Sequence, residues 1–148
     1  TLTGMDELYG RVTGSVDDFV VRRGDGTYAY NLAVVVDDGL QGVDQVVRGD
    51  DLLSSVPRQV WLAENLGFTP PTYAHVPLAV GRDGRRLAKR DGAVTLADLS
   101  REGVDAGQVL TRIAASLDLT DGREHVTTDL LLARFDPSLL PRTPWVVG

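Results

Sequence analysis

The apolar run at residues 28–36 constrains the fold of this chain more than any other stretch. Read as a strand, this run carries apolar side chains on both of its faces. A strand of that kind lies in the middle of a sheet that is covered on both sides, and such sheets are usually parallel. We therefore predict an α/β fold. Ligands of parallel sheets gather beyond the carboxyl ends of the strands, and Asp37 and Asp38 fall there.

Turn residues and apolar spacing predict the remaining elements. Three more strands are expected, at residues 18–23, 45–47 and 73–80. A helix is expected to begin near Ser55 and to stop at Gly67, because serine caps helix starts and glycine ends helices. Two further helices are expected, one that begins at Asp105 with a capping box and one at residues 128–134, followed by a proline-rich tail that packs back. Residues 1–10 show no clear period and predict no element.

Composition excludes several classes of protein. The 148 residues include no cysteine, which rules out disulfides and cysteine-ligated zinc within the chain. The formal net charge of −6 argues against broad, non-specific coating of nucleic acid, because that binding needs a basic surface. His75 and His125 lie far apart in sequence, so no metal site is expected, and His75 is interpreted as a hydrogen-bonded structural residue. No apolar run is as long as a membrane span, and a cytoplasmic protein is predicted.

A basic loop stands out against this acidic background. Four arginines and one lysine fall within residues 82–90, and Lys89 is the only lysine in the chain. Gly84 and Gly92 flank the cluster, and cations on a loop of this kind are suited to the phosphates of a nucleotide. The alternative interpretation is a solvated surface turn between two strands.

Several ordered motifs resemble one family. The run RLAKRDGA at residues 86–93 resembles the second signature loop of class I aminoacyl-tRNA synthetases, in the form that glutamyl enzymes use. YNLAVVVDD at 30–38, VVRGDD at 46–51, PRQ at 57–59 and HVPL at 75–78 follow the family's order and spacing. The resemblance implies the second half of a Rossmann-like catalytic domain in residues 1–96, with a KMSKS-like loop at 86–90. It implies a small helical segment and a packed tail in residues 97–148.

The resemblance also implies roles for individual residues. Lys89 is expected to be catalytic, because it would neutralise the charge that builds on the phosphates of ATP, and Arg86 and Arg90 are expected to assist in binding ATP. Tyr30 and Arg48 are expected to bind the glutamate substrate. The family's usual serine before the lysine is Ala88 here, so a hydroxyl contact from that position is absent.

Considered without the family, two of these residues have other interpretations. Arg48 would form a structural ion pair with one of three nearby carboxylates, those of Asp38, Asp50 and Asp51. Tyr30 would be a core tyrosine.

The chain carries only part of such a site. The first family signature, a His-x-Gly-His turn, occurs nowhere in these residues, and the family's zinc site would lie outside the chain. Mg²⁺ is expected together with ATP. The isolated chain is therefore expected neither to activate glutamate nor to bind ATP tightly.

The implied function is ATP-dependent activation of glutamate and its transfer to queuosine of tRNA(Asp). The runs at 47–53 and 141–145, and the absence of room for an anticodon-binding domain, favour that acceptor. One alternative is a fragment of an enzyme that charges tRNA(Glu). The other is a module that binds tRNA or a protein partner without catalysis.

Overall fold

The structure, a computed structural model, describes residues 1–87 and 95–147. It divides into two units, Thr1–Val76 and Pro77–Gly148. The predicted boundary after residue 96 stays a prediction. None of the helices in the described ranges is long and apolar enough to cross a membrane.

A four-stranded sheet forms the base of the first unit. Its strands are β1 (Leu2–Asp6), β2 (Gly10–Gly14), β3 (Gln45–Gly49) and β4 (Thr72–Val76). Their order is β2-β1-β4-β3, with β1 and β2 antiparallel and β4 parallel to both β1 and β3. The predicted strand at 45–47 is confirmed. Because β3 and β4 are parallel, the chain returns between them through a helix.

Two helices lie on one side of this sheet, namely α1 (Tyr30–Gln41) and α2 (Val56–Leu66). A 3₁₀ helix at Asp50–Ser55 precedes α2. The predicted helix near Ser55 is confirmed, but the Ser55 side chain makes no capping hydrogen bond; Gly67 ends the helix with a φ of 79°. On one side of α2, Val56 and Val60 pack with Tyr73 of β4. On the other side, α2 packs against α1, so α2 lies between the sheet and α1.

The central strand predicted at residues 28–36 is wrong, because most of this run forms the start of α1. A short, mostly apolar run fits both periods, and packing decides between them. Val35 is buried against Leu62 and Ala63 of α2, as one stripe of a helix requires. Asp37 and Asp38 consequently lie within a helix and not at the end of a strand.

Three other expectations need correction. The predicted strand at 18–23 is reduced to one bridge, between Arg22 and Tyr28. The predicted strand at 73–80 is divided into β4 and a separate short strand, since Pro77 has no N–H to donate to a ladder. The sheet is not covered on both sides within the first unit, where Met5 and Val47 are 51% and 63% exposed.

The unassigned residues 1–10 contain β1, which lies inside the sheet. Hydropathy does not reveal this strand because Gly4 stands where an apolar side chain would face α2. A Cβ atom at position 4 would lie only 2.2 Å from Cγ1 of Val56. Close approach of the helix therefore selects glycine at this position.

The carboxylate of Asp6, the last residue of β1, forms hydrogen bonds that connect β1 to β4. One oxygen accepts from the backbone N–H groups of Leu8 and Tyr9, both at 2.9 Å. The other oxygen accepts from the backbone N–H of His75 at 3.1 Å and from its ring Nδ1 at 2.6 Å. Burial by itself raises the pKa of Asp6, but the bonds from the His75 ring, Tyr9 and Leu8 outweigh burial. The pKa of Asp6 therefore lies below its ordinary value.

In residues 77–87 and 95–147, the second unit combines a small parallel sheet with three α-helices and a short 3₁₀ helix at Pro137–Leu139. Its strands β5 (Ala79–Val80) and β6 (Trp145–Val146) pair with each other, which confirms that the tail packs back. Its helices are α3 (Leu96–Arg101), α4 (Ala106–Ser116) and α5 (Thr128–Arg134). The predicted capping box of Asp105 with Gln108 is confirmed, as is the helix at 128–134.

Substituting Gly4→Ala is expected to lower the free energy of unfolding by about 1–3 kcal/mol, because the added methyl group overpacks against fully buried Val56. Urea unfolding measures the change. Gly24→Ala is the matched control, since nothing lies within 4 Å of its Cβ and its φ is not positive. The control should stay within about 0.5 kcal/mol of the parent chain. Equal losses in the two variants would contradict the packing argument.

The Asp6 carboxylate should make part of the stability depend on pH. Because its pKa is depressed in the folded chain, its contribution is complete above its unfolded pKa of about 3.9 and is lost as the pH falls through the folded value. The difference in unfolding free energy between the parent chain and Asp6→Asn should therefore shrink as the pH is lowered from neutral into this range. Urea unfolding at a series of pH values measures the difference, and a constant gap would refute the assignment.

Candidate functional site

Arg48 lies near the end of β3 and is held by three hydrogen bonds. Its Nε donates to Nε2 of His75 at 2.9 Å, and its Nη1 donates to Oε1 of Gln59 at 2.7 Å. Its Nη2 donates to the carbonyl oxygen of Leu52 at 3.4 Å. Arg48 and His75 are direct neighbours across β3 and β4, which places their side chains on the face that α2 covers. The guanidinium is thus oriented by three different elements.

These partners are neutral, unlike the carboxylates of the structural ion pair that sequence alone suggested. Among the described residues, none of the ion pairs joins Arg48 to Asp38, Asp50 or Asp51. A guanidinium has five N–H groups. Within the described part of the chain, the three bonds leave one N–H on each terminal nitrogen for a ligand. Two such donors match the two oxygens of a carboxylate.

The ring of Tyr73 lies below the guanidinium, with the Arg48 Cζ 5.0 Å from the ring centre. Tyr73 is 2% exposed and also stacks on the His75 ring. Burial raises the pKa of Tyr73 to about 12, against the opposing charge of Arg48, and Asp38 and Tyr30 add to the increase. The phenol is therefore neutral, and its ring faces a cation without adding a charge of its own.

Tyr30 is the first residue of α1 and is 48% exposed, so the interpretation as a core tyrosine is wrong. The next residue, Asn31, accepts through Oδ1 from Nε2 of Gln59 at 3.0 Å. Because Gln59 also accepts from Arg48, one amide connects the start of α1 to the guanidinium. The structure thus brings the two predicted glutamate ligands to the same part of the first unit. Their binding role stays a prediction.

Sequence analysis missed Asp6, Gln59 and Asn31, and it correctly described His75 as hydrogen-bonded. His75 is 0% exposed and Gln59 is 1% exposed. Gln59 is polar, yet it lies on the buried side of α2, which hydropathy spacing cannot detect. The PRQ run at 57–59 was the only signal for it.

The basic loop at residues 82–90 is described only as far as residue 87. Arg86 forms an antiparallel bridge with Val80, and Gly84 has a φ of 74° in the turn between them. Arg86 is exposed in the second unit. Lys89 and Arg90 lie outside the described residues, so their predicted roles in binding ATP stay predictions, as does that of Arg86.

A cavity of about 430 Å³ lies in the second unit, between the start of α4 and residues 122–125. Its lining includes Asp105, Arg112, Arg123 and His125. It contains none of the residues that sequence analysis selected for chemistry.

Comparison with known proteins gives the chain a family. A family model described as tRNA synthetases class I (E and Q), catalytic domain, matches residues 1–146. A glutamyl-Q tRNA(Asp) synthetase of Nocardia farcinica is 60% identical over 143 residues, which are 97% of this chain and 45% of that protein. A glutamate-tRNA ligase 2 of Halorhodospira halophila is 42% identical over 135 residues, which are 88% of this chain and 28% of that protein. The chain spans less than half the length of these relatives.

A solved structure agrees with the fold. The crystal structure of a glutamate tRNA ligase from Elizabethkingia meningosepticum has a TM-score of 0.78 to this chain at 24% identity. The match covers 99% of this chain and 34% of that one. The predicted fold class, an α/β class I catalytic domain, is confirmed. With its family model matched over residues 1–146, the chain belongs to the class I tRNA synthetases of the glutamate and glutamine type, within their catalytic domain.

Proposed function

We propose that this chain supplies the second half of a catalytic domain that activates glutamate with ATP and transfers it to tRNA. The observation that carries the proposal is the Arg48 guanidinium, which three neutral acceptors orient while the described residues leave one N–H on each terminal nitrogen without a partner. An acidic amino acid offers the carboxylate that such a fork binds bidentately. Tyr30, at the exposed start of α1, is the second proposed glutamate ligand.

The chemistry of activation is the same for every acceptor. An oxygen of the glutamate α-carboxylate attacks the α-phosphorus of ATP, a new O–P bond forms, and the bond to pyrophosphate breaks. The products are glutamyl adenylate and pyrophosphate. Lys89 is proposed to neutralise charge on the leaving phosphates, with Arg86 and Arg90 binding the nucleotide. A hydroxyl of the tRNA nucleoside then attacks the activated carbonyl carbon, and AMP leaves.

Mg²⁺ is proposed only as the counterion that ATP brings. In residues 1–87 and 95–147, no three His, Asp or Glu side chains converge on a point that would hold a metal ion. The proposal sets the reaction in the cytoplasm, as the sequence predicts.

Queuosine of tRNA(Asp) is the proposed acceptor. Relatives named glutamyl-Q tRNA(Asp) synthetase are 60%, 56% and 48% identical to the chain over most of its length, which supports this acceptor. Relatives named glutamate-tRNA ligase are 42% and 43% identical, and they support the second candidate, charging of tRNA(Glu).

Arg48→Lys is expected to lower kcat/KM for glutamate by roughly 30-fold, because losing a hydrogen bond to a charged group costs about 2 kcal/mol. Lysine keeps the charge but cannot form the fork. Pyrophosphate exchange is measured in a fused enzyme, in which this chain replaces the 143 matching residues of the N. farcinica relative.

Arg58→Lys is the matched control for this substitution. Arg58 pairs with Asp17 on the surface at 2.7 Å and should leave kcat/KM nearly unchanged. If Arg48→Lys leaves pyrophosphate exchange unchanged, Arg48 does not hold glutamate through its fork, and the proposal loses its main support.

The acceptor is tested in the same fused enzyme with three samples, namely tRNA(Asp) with queuosine, tRNA(Asp) without it, and tRNA(Glu). We expect radiolabelled glutamate to be transferred to tRNA(Asp) that contains queuosine and not to tRNA(Asp) that lacks it. Transfer to tRNA(Glu) instead would establish the second candidate. If the tRNAs bind but neither transfer nor pyrophosphate exchange occurs, the result would support the remaining alternative, a module that binds tRNA without catalysis.

A further inference from the structure

One hydrogen-bonded chain of side chains runs through Arg48 and connects five elements of the first unit. It consists of five side chains, which we call the relay: Asp6, His75, Arg48, Gln59 and Asn31. These residues come from β1, β4, β3, α2 and α1 in that order. Asp6, Gln59 and His75 are 4%, 1% and 0% exposed, so water does not compete freely for these bonds.

The direction of each bond is fixed by chemistry. A carboxylate only accepts, so the ring Nδ1 of His75 must carry the proton that it shares with Asp6. A guanidinium only donates, so Nε2 of the same ring must accept from Nε of Arg48. His75 is therefore a neutral imidazole in a single tautomer. The opposite tautomer would place an N–H against the Arg48 N–H and would push the guanidinium away.

Only a carboxylate at position 6 satisfies all the donors that face it. Both oxygens of Asp6 accept two N–H groups each, from Leu8 and Tyr9 on one side and from the backbone and ring of His75 on the other. An asparagine has one accepting oxygen, so in either orientation its NH₂ group would face two N–H donors. The carboxylate at position 6 and the guanidinium of Arg48 thus favour the same tautomer of His75.

We infer that Asp6 and His75 are positioning residues for the glutamate ligand Arg48, with Gln59 fixing the other edge of the guanidinium. The inference rests on the proposed function of Arg48. Neither Asp6 nor His75 touches substrate; they set the direction in which the remaining Arg48 N–H groups point. Through Gln59 and Asn31, the same relay fixes the start of α1, which carries Tyr30.

Nitrogen NMR of the chain itself tests the relay without any assay of activity. The chain has two histidines, and His125 is exposed, so it is an internal reference for a ring in exchange with water. We expect the His75 ring to carry its proton on Nδ1 and to leave Nε2 unprotonated, and we expect Asp6→Asn to weaken that preference without reversing it, because Arg48 still donates to Nε2. A proton on Nε2 in the parent chain would overturn the inference.

Two substitutions of His75 separate positioning from folding. His75→Gln can place its amide oxygen near the former Nε2 and keep an acceptor for Arg48. His75→Asn can place its NH₂ group near the former Nδ1 and keep the bond to Asp6. This substitution removes the acceptor that Nε2 offers to Arg48. In the fused enzyme, His75→Asn should raise KM for glutamate about 10- to 100-fold, the worth of a hydrogen bond to a charged group. His75→Gln should raise it by less than about threefold, within the effect of a preserved bond.

KM for ATP should be unchanged in both variants, because general loss of structure would raise both constants. Equal increases in KM for glutamate in the two variants, or parallel changes in KM for ATP, would overturn the positioning role. If Arg48→Lys leaves glutamate activation intact while the NMR result holds, the proposed function fails and the tautomer assignment stands. The two failures are therefore distinguishable.

Discussion

The four hydrogen bonds to the Asp6 carboxylate are the interaction on which the first unit depends. They turn the chain after β1, extend the contact of β1 with β4 beyond the strand ladder, and hold the ring of His75. From that ring, ordered bonds continue to the guanidinium of Arg48 and to the start of α1. Removing one accepting oxygen would leave buried donors unpaired, which is costly in a site without free water.

The neutral character of the partners of Arg48 matters for binding. A carboxylate partner would satisfy the guanidinium within the protein and would compete with an acidic ligand for the same donors. Oxygen and nitrogen atoms of His75, Gln59 and Leu52 orient the group without cancelling its charge. In the role proposed for Arg48, the electrostatic attraction remains for an acidic ligand, and the side-chain entropy of the arginine is already lost before such a ligand binds.

The sequence predicted the elements whose signals are local. Ser55 and Gly67 marked the bounds of α2, although the Ser55 side chain makes no capping bond, and the capping box marked α4, because such signals depend on neighbouring residues. The apolar run at 28–36 misled, since its strand pattern also fits one side of α1, and only contact with Leu62 and Ala63 separates the two. β1 was missed for the opposite reason: its inward residue is Gly4, and the helix that requires a glycine there is more than fifty positions away.

The candidate site follows the same division. Tyr30 and Arg48 were predicted through ordered motifs, whereas Asp6 and Asn31 became visible only through contacts between distant parts of the chain. Lys89 and Arg90 were predicted from sequence and lie outside the described residues, so their roles stay predictions.

The buried phenol of Tyr73 has a further consequence for the cation above it. With a pKa of about 12, its hydroxyl keeps its proton in mildly alkaline solution, so no phenolate forms there beside Arg48. An ordinary surface tyrosine would begin to ionise near pH 10 and would then attract the guanidinium as a rival anion. Burial of this one ring therefore keeps the charge around Arg48 constant under mildly alkaline conditions.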